Sequence, residues 1–219
     1  MVNIRDLKNV NKGEDIFILA NAPSIKKNDL SRLKGKVVIG MNANPLLEKE
    51  FGFVSDYYVV SDLRFITHPQ KRPMATEMLD KKTKRVFRQE LMAEDQDELK
   101  DKTYYIKSLG RNGFSCDLEE GYYFGVTTTM LAVQLAAYLG AKNIYILGMD
   151  LKYKKGDARF YHETSVQEYD KFTSTQIYNV QNAYKILKEN DVNLYNCSKT
   201  SLLFPYLPFI DFNKSITKG

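Results

Sequence analysis

Three short stretches of this 219-residue chain gather side chains that could hold a charged ligand. The first is Asn21-Ala22-Pro23-Ser24, directly after an apolar run. Proline at the start of a helix presets φ, and the backbone N–H groups of such a turn suit a phosphate. Ser24 would stand near that N-terminus, although a capped strand-to-helix turn without a ligand accounts for the same four residues. The second stretch, Gly125-Val126-Thr127-Thr128-Thr129, offers three hydroxyls and the amide end of an apolar helix, where an anion could dock. Any one of these threonines has a plainer use as an N-cap. The third runs from Asp150 to His162 and collects Lys152, Tyr153, Arg159, Tyr161 and His162. Such a loop could neutralise a departing phosphate and supply a general base. His162 is one of two histidines, with His68. Its imidazole suits proton transfer near neutrality, yet a lone histidine more often sits at the surface or in a structural hydrogen bond.

Those residues act together only if the fold converges on them. The runs at 15–20, 37–41 and 57–60 read as buried strands, and each ends in polar residues: Asn21, Asn42 with Asn44, and Ser61 with Asp62. Val126 to Leu139 is apolar at helical spacing and Gly140 closes it; Asn143 to Gly148 follows as a strand. A helix over 165–189 and a short strand over 192–195 end the pattern. The segment at about 63–120 is charged and less regular, with weak strands near 85–87 and 104–106, and reads as an insert. With no internal repeat, the alternation predicts a single domain over 1–219, of α/β class, Rossmann-like, with a mostly parallel sheet and helices on both faces. Ligands of such sheets sit beyond the carboxyl ends of the strands, where the three stretches would meet.

Composition narrows the field. Hydrophobic residues at 43% and charged residues at 27% exclude a disordered chain. A net charge of +5 is spread along the sequence, so nucleic acid is not indicated as a partner, while a phosphate-bearing substrate or an anionic membrane surface fits equally well. Cys116 and Cys197 lack zinc-site spacing and read as free thiols. No signal peptide or spanning segment is evident at the N-terminus or beyond, so the expected location is the cytoplasm, with the inner face of the membrane open. The apolar stretch Phe204 to Phe209 reads as a docked C-terminal segment. Gly-x-Gly-x-x-Gly, a phosphate-binding lysine loop and a Gly-x-Ser-x-Gly elbow are all missing. No metal site is expected: Asp56 and Asp62 suit structural roles, and no Asp-x-Asp pair appears.

Several pieces in their order resemble the bacterial family-42 sialyltransferases: Ile18 to Ile25, Asn42, Thr127-Thr128 before a long apolar helix, Ile144 to Asp150, and Leu194 to Ser198 with Ser201-Leu202-Leu203. The same skeleton is similar to a broader superfamily that includes motility accessory factors and hydroxymethylpterin pyrophosphokinases. The resemblance implies that Asn21 and Ser24 contact the CMP part of a donor, with Asn42 nearby, Thr127 and Thr128 lining its pocket, and Asp150 at the same edge. It also implies that Tyr153 and Tyr161 bind the leaving phosphate, and that a histidine deprotonates the acceptor in a metal-independent, inverting reaction. The family histidine lies closer to the last strand than His162, and no histidine stands around Thr173 to Thr175.

The expected function is glycosyl transfer from a nucleotide-activated sugar, best matched by CMP-sialic acid or a related acidic sugar, in assembly of a bacterial surface glycan such as lipopolysaccharide or capsule. The nucleotide sugar is a substrate, so no cofactor is expected, and the partners are that donor and a glycan acceptor. Peripheral membrane attachment and self-association stay open. Two alternatives remain: a pyrophosphokinase-like phosphotransferase, with Asp62 and Asp150 as its candidate magnesium carboxylates, and a nucleotide-binding module without catalysis.

Overall fold

The computed structural model describes residues 2–95, 98, 100–152, 159–162 and 170–215. Strand β1, Asp15–Leu19, leads through two 3-10 turns, Pro23–Lys27 and Leu30–Leu33, into β2, Val37–Met41. Helix α1, Asn44–Phe51, precedes β3, Tyr57–Val60; the short helices α2, Arg64–Thr67, and α3, Arg72–Ala75, precede β4, Lys84–Arg88. After β5, Thr103–Ile106, come two short strands, β6 at Ser108–Gly110 and β7 at Tyr122–Tyr123, then helix α4, Thr128–Tyr138. Strand β8, Asn143–Leu147, helix α5, Thr173–Glu189, strand β9, Asn193–Asn196, and helix α6, Phe212–Ser215, follow among the described residues.

The main sheet has the order β5-β4-β3-β2-β1-β8-β9, and every neighbouring pair is parallel. Side chains alternate across it with the period of two that a pleated strand imposes. Ile16 and Ile18 of β1, with Ile144 and Ile146 of β8, pack on Leu131, Leu135, Val180 and Leu187 of α4 and α5. Phe17, Leu19 and Leu147 point the other way, toward Ile25, Leu30, Leu47 and Phe212. Both faces are therefore covered, as near-continuous apolar strands of a parallel sheet require. The expected α/β, Rossmann-like architecture is what forms.

The structure differs from these expectations at two places. The 63–120 segment, read as a less regular insert with weak strands near 85–87 and 104–106, forms strands at both places, and these, β4 and β5, join the main sheet. Its charged residues hid this: Arg85 sits on β4 yet is buried, because Asp95 accepts from its Nη2 at 3.1 Å and Tyr105 donates to the same carboxylate at 2.6 Å. The turn at Ser24 is a five-residue 3-10 helix rather than the start of an α-helix. Part of the helix expected over 165–189 falls on residues outside the described ones, and α5 begins at Thr173. Cys116 and Cys197 are both free. Among the described residues no helix is long and apolar enough to cross a membrane. In the C-terminal stretch Leu203 and Leu207 are buried while Phe204 and Tyr206 are exposed, and Asn196 bridges to Phe209.

Candidate functional site

Strand β1 lies between β2 and β8, so the chain runs outward from β1 to β5 and then returns to β1's other side. Loops leaving β1 and β8 must part, and a crevice opens at their carboxyl ends. A cavity of about 320 Å³ occupies that place, walled by the residues that follow β1, β2, β3, β4 and β8 and by the loop into α4. Backbone bonds carry the β1/β8 pairing past the strand ends before the loops part: Ala20 N donates to Leu147 O and Ala22 N to Gly148 O, each at 2.8 Å.

Asn21 stands in this fork, 3% exposed, with its Oδ1 unpartnered among the described residues. Asn42, in left-handed backbone at φ 54°, lines the next position and also has an unpartnered Oδ1. Asn44 does not reach the cavity wall; its Nδ2 donates to Leu19 O at 2.8 Å and Met41 O at 2.7 Å, closing the ends of β1 and β2. Asp150 lines the wall beyond β8. Its Oδ1 accepts from Ser24 Oγ at 2.6 Å and Ser198 Oγ at 2.8 Å. Ser24 is buried behind Asp150 and does not line the cavity; its hydroxyl orients the carboxylate instead.

Thr127, Thr128 and Thr129 all line the cavity. Thr127 is the N-cap of α4, its side chain accepting from Thr129 N at 3.3 Å, and Thr128 shares a 2.6 Å hydrogen bond with Ser61. The N-terminal amides of α4 thus face the crevice over β2 and β3. Val126, just before, is a β-branched residue at φ 55°, and Leu151 is at φ 57°. Non-glycine residues in this region carry strain of about 1–3 kcal/mol each, and such strain clusters where a ligand is clamped.

Asp62, expected to be structural, does both: it lines the cavity, and its carboxylate accepts from Arg64 N, Nε and Nη2 at 2.6–3.0 Å. Burial pushes its carboxyl up, but the Arg64 bonds and the charges of Arg64 and Lys71 outweigh that and hold it below the usual carboxylate range. Asp56 is bonded to Val38 N at 2.9 Å.

The third stretch divides. Lys152 and Arg159 line the cavity, and Phe160 N donates to Asn21 O at 2.9 Å, so the far end of the loop returns to β1. Tyr153 lies outside the described residues. Tyr161 is half-buried against Phe160, and His162 is exposed; neither is on the cavity wall. In their place the wall holds Phe124 and four residues that sequence reading passed over, Arg64, Arg88, Asp170 and Gln176. Asp170 accepts from Phe172 N at 2.8 Å and Gln176 Nε2 at 2.7 Å. Gln176 is 3% exposed, and its Oε1 is unpartnered among the described residues. The available signal was position: Arg88 ends a strand, and Asp170 precedes a helix.

This sheet order and crevice define a Rossmann-like α/β fold. The model of the family described as 6-hydroxymethylpterin diphosphokinase MptE-like matches residues 1–156, and the chain belongs to that family. A probable 3-deoxy-manno-octulosonic acid transferase of Escherichia coli K12 is 24% identical over an alignment of 251 positions, gaps included, which covers 95% of this chain and 88% of that protein. The MAf glycosyltransferase of Magnetospirillum magneticum superposes with a TM-score of 0.62 at 16% identity; 98% of this chain is covered, but only 38% of that one. The sialyltransferase CstII of Campylobacter jejuni, solved with cytidine-5'-monophosphate, gives a TM-score of 0.59 at 16% identity, covering 94% of this chain and 89% of that one. The fold is thus one that glycosyltransferases use.

Proposed function

We propose that the protein is a glycosyltransferase that takes an acidic sugar from a CMP-linked donor, with inversion and without a metal, and works at the cytoplasmic face of the membrane in building a surface glycan. The observation that carries this reading is the crevice at the β1/β8 fork, with unpartnered carbonyl oxygens on Asn21, Asn42 and Gln176 and the amide end of α4 beside them. Buried acceptors without partners favour a ligand rich in donors. Ribose hydroxyls and the cytosine amino group are such donors, whereas uracil carries a carbonyl at the amino position. The names of the Escherichia coli and Campylobacter jejuni relatives, one a transferase of an acidic octulosonic sugar and the other a sialyltransferase, support the same donor class.

In the proposed reaction an acceptor hydroxyl attacks the anomeric carbon while the bond from that carbon to the phosphate oxygen breaks. CMP leaves with the electron pair, stabilised by the α4 amides with Lys152 and Arg159. The hydroxyl proton passes to a general base. His162 is the base expected from sequence; Asp170 is a carboxylate on the cavity wall, and geometry favours it. Asp170→Asn should lower kcat by about 10²-fold or more with CMP affinity retained, while His162→Ala stays near wild type. Steady-state kinetics with CMP-N-acetylneuraminic acid, following CMP release, read both variants. The opposite pattern returns the base to His162.

The family match favours a second reading, a diphosphokinase acting through magnesium. Asp62 and Asp150 follow β3 and β8, three strand steps apart, roughly 14 Å at strand spacing, too far to share one ion. Turnover of ATP that requires magnesium would support this reading over the first, and binding of CMP without turnover of any donor would leave a nucleotide-binding module.

A further inference from the structure

We propose that Arg88 reads a carboxylate on a sugar substrate, which makes the β4 end of the crevice an acidic-sugar subsite. The inference rests on the glycosyl-transfer reading and names a specificity residue for it. Arg88 ends β4, three strand steps from Asn21, or roughly 14 Å. The amide end of α4 lies between them, over β2 and β3, where Thr128 meets Ser61. A nucleotide in the β1/β8 fork with its phosphate at those amides therefore brings the attached sugar, or the acceptor that attacks it, opposite Arg88.

The side chain is set for that task. Its guanidinium lies over the Phe124 ring, 5.8 Å from the centroid, and Phe124 lines the same wall. Arg88 donates from Nε and Nη2 to Glu90 at 2.8 and 3.1 Å, so its fork already grips a carboxylate, while Nη1 makes no hydrogen bond among the described residues. The Glu90 side chain is 50% exposed, so it can turn to water when a substrate carboxylate takes its place. A planar, permanently charged fork matches a carboxylate better than any other side chain does. Gln176 and Asn21, both more than nine-tenths buried with an unpartnered oxygen on the same cavity, mark the crevice as built for a hydrogen-bonding ligand.

The test uses the full chain. Phenylglyoxal modification of Arg88, followed by peptide mass spectrometry, is compared with N-acetylneuraminic acid, with neutral N-acetylmannosamine and with no sugar. The acidic sugar should slow modification and the neutral one should not; equal rates overturn the proposal. Arg88→Met, which keeps the stem over Phe124, should leave CMP affinity unchanged. Weakening of CMP-N-acetylneuraminic acid binding by about tenfold assigns the carboxylate to the donor. Loss of free N-acetylneuraminic acid binding in the presence of CMP, with donor binding kept, assigns it to the acceptor. Unchanged binding of both again overturns the proposal. Protection of Arg88 in a protein that does not bind CMP contradicts the CMP donor alone, and CMP binding without protection contradicts the role of Arg88 alone.

Discussion

Asp150 Oδ1 takes both serine hydroxyls, from Ser24 and Ser198, and its second oxygen makes no hydrogen bond among the described residues. Asn21 beside it is buried with its side-chain oxygen unused. An unused side-chain oxygen adds little to the stability of the free protein but matters once a ligand is bound. Asn21→Ala should therefore weaken CMP binding by about 5–10-fold in calorimetric titration and leave the melting temperature of the free protein close to wild type. Glu48 on α1 is the contrasting case. It is buried outside the crevice wall, its Oε1 is unpartnered among the described residues, and burial pushes its carboxyl above the usual range. A raised folded value means that the native state holds its proton longer than the unfolded chain, so wild-type stability falls as pH rises from about 4.3 through the folded value. Glu48→Gln should raise the melting temperature at pH 7, and the gain should vanish below about pH 4 in thermal melts across that range. Asn21, Asn42 and the threonines were legible because each follows a strand or opens a helix in the sequence. Ser24's bond to Asp150 was not, since its partner lies 126 positions away.

At the scale of elements, the fork between β1 and β8 holds its shape through backbone that only particular residues tolerate. Gly148 is at φ 70°, and a Cβ there would lie 2.9 Å from Ile25 Cβ and 3.0 Å from Ala20 O. Gly148→Ala should destabilise the fold by about 1–3 kcal/mol, read as a lower urea midpoint with unchanged slope. Helix α4 was evident from its apolar run, because its residues are buried almost all round between the sheet and α5. Strands β4 and β5 were faint for the opposite reason. Their sequences, Lys84–Arg88 and Thr103–Ile106, mix charge with aromatic residues, and the burial of Arg85 depends on a partner, Asp95, outside either strand.

Over the whole molecule, the strand order lays a sequence of chemistries along one crevice: Asp150 and Asn21 at the β8 and β1 ends, Asn42 and the α4 amides over β2 and β3, then Arg64, Phe124 and Arg88 toward β4. That order gives a nucleotide, its phosphate and a sugar their places in turn. The parallel sheet was legible from alternating strands and helices. The length of the crevice was not, because it depends on β4 joining the sheet and on Phe160 returning to Asn21 at the end of β1. The most direct test of the account is the thermal shift of the full chain with CMP, UMP, GDP and ATP in turn. At a hundred times its dissociation constant, CMP should stabilise the fold by about 2.7 kcal/mol, roughly 5–10 °C, with smaller shifts for the other three nucleotides. No shift with CMP, or a larger one with ATP, would contradict a cytidine-type donor at the β1/β8 fork.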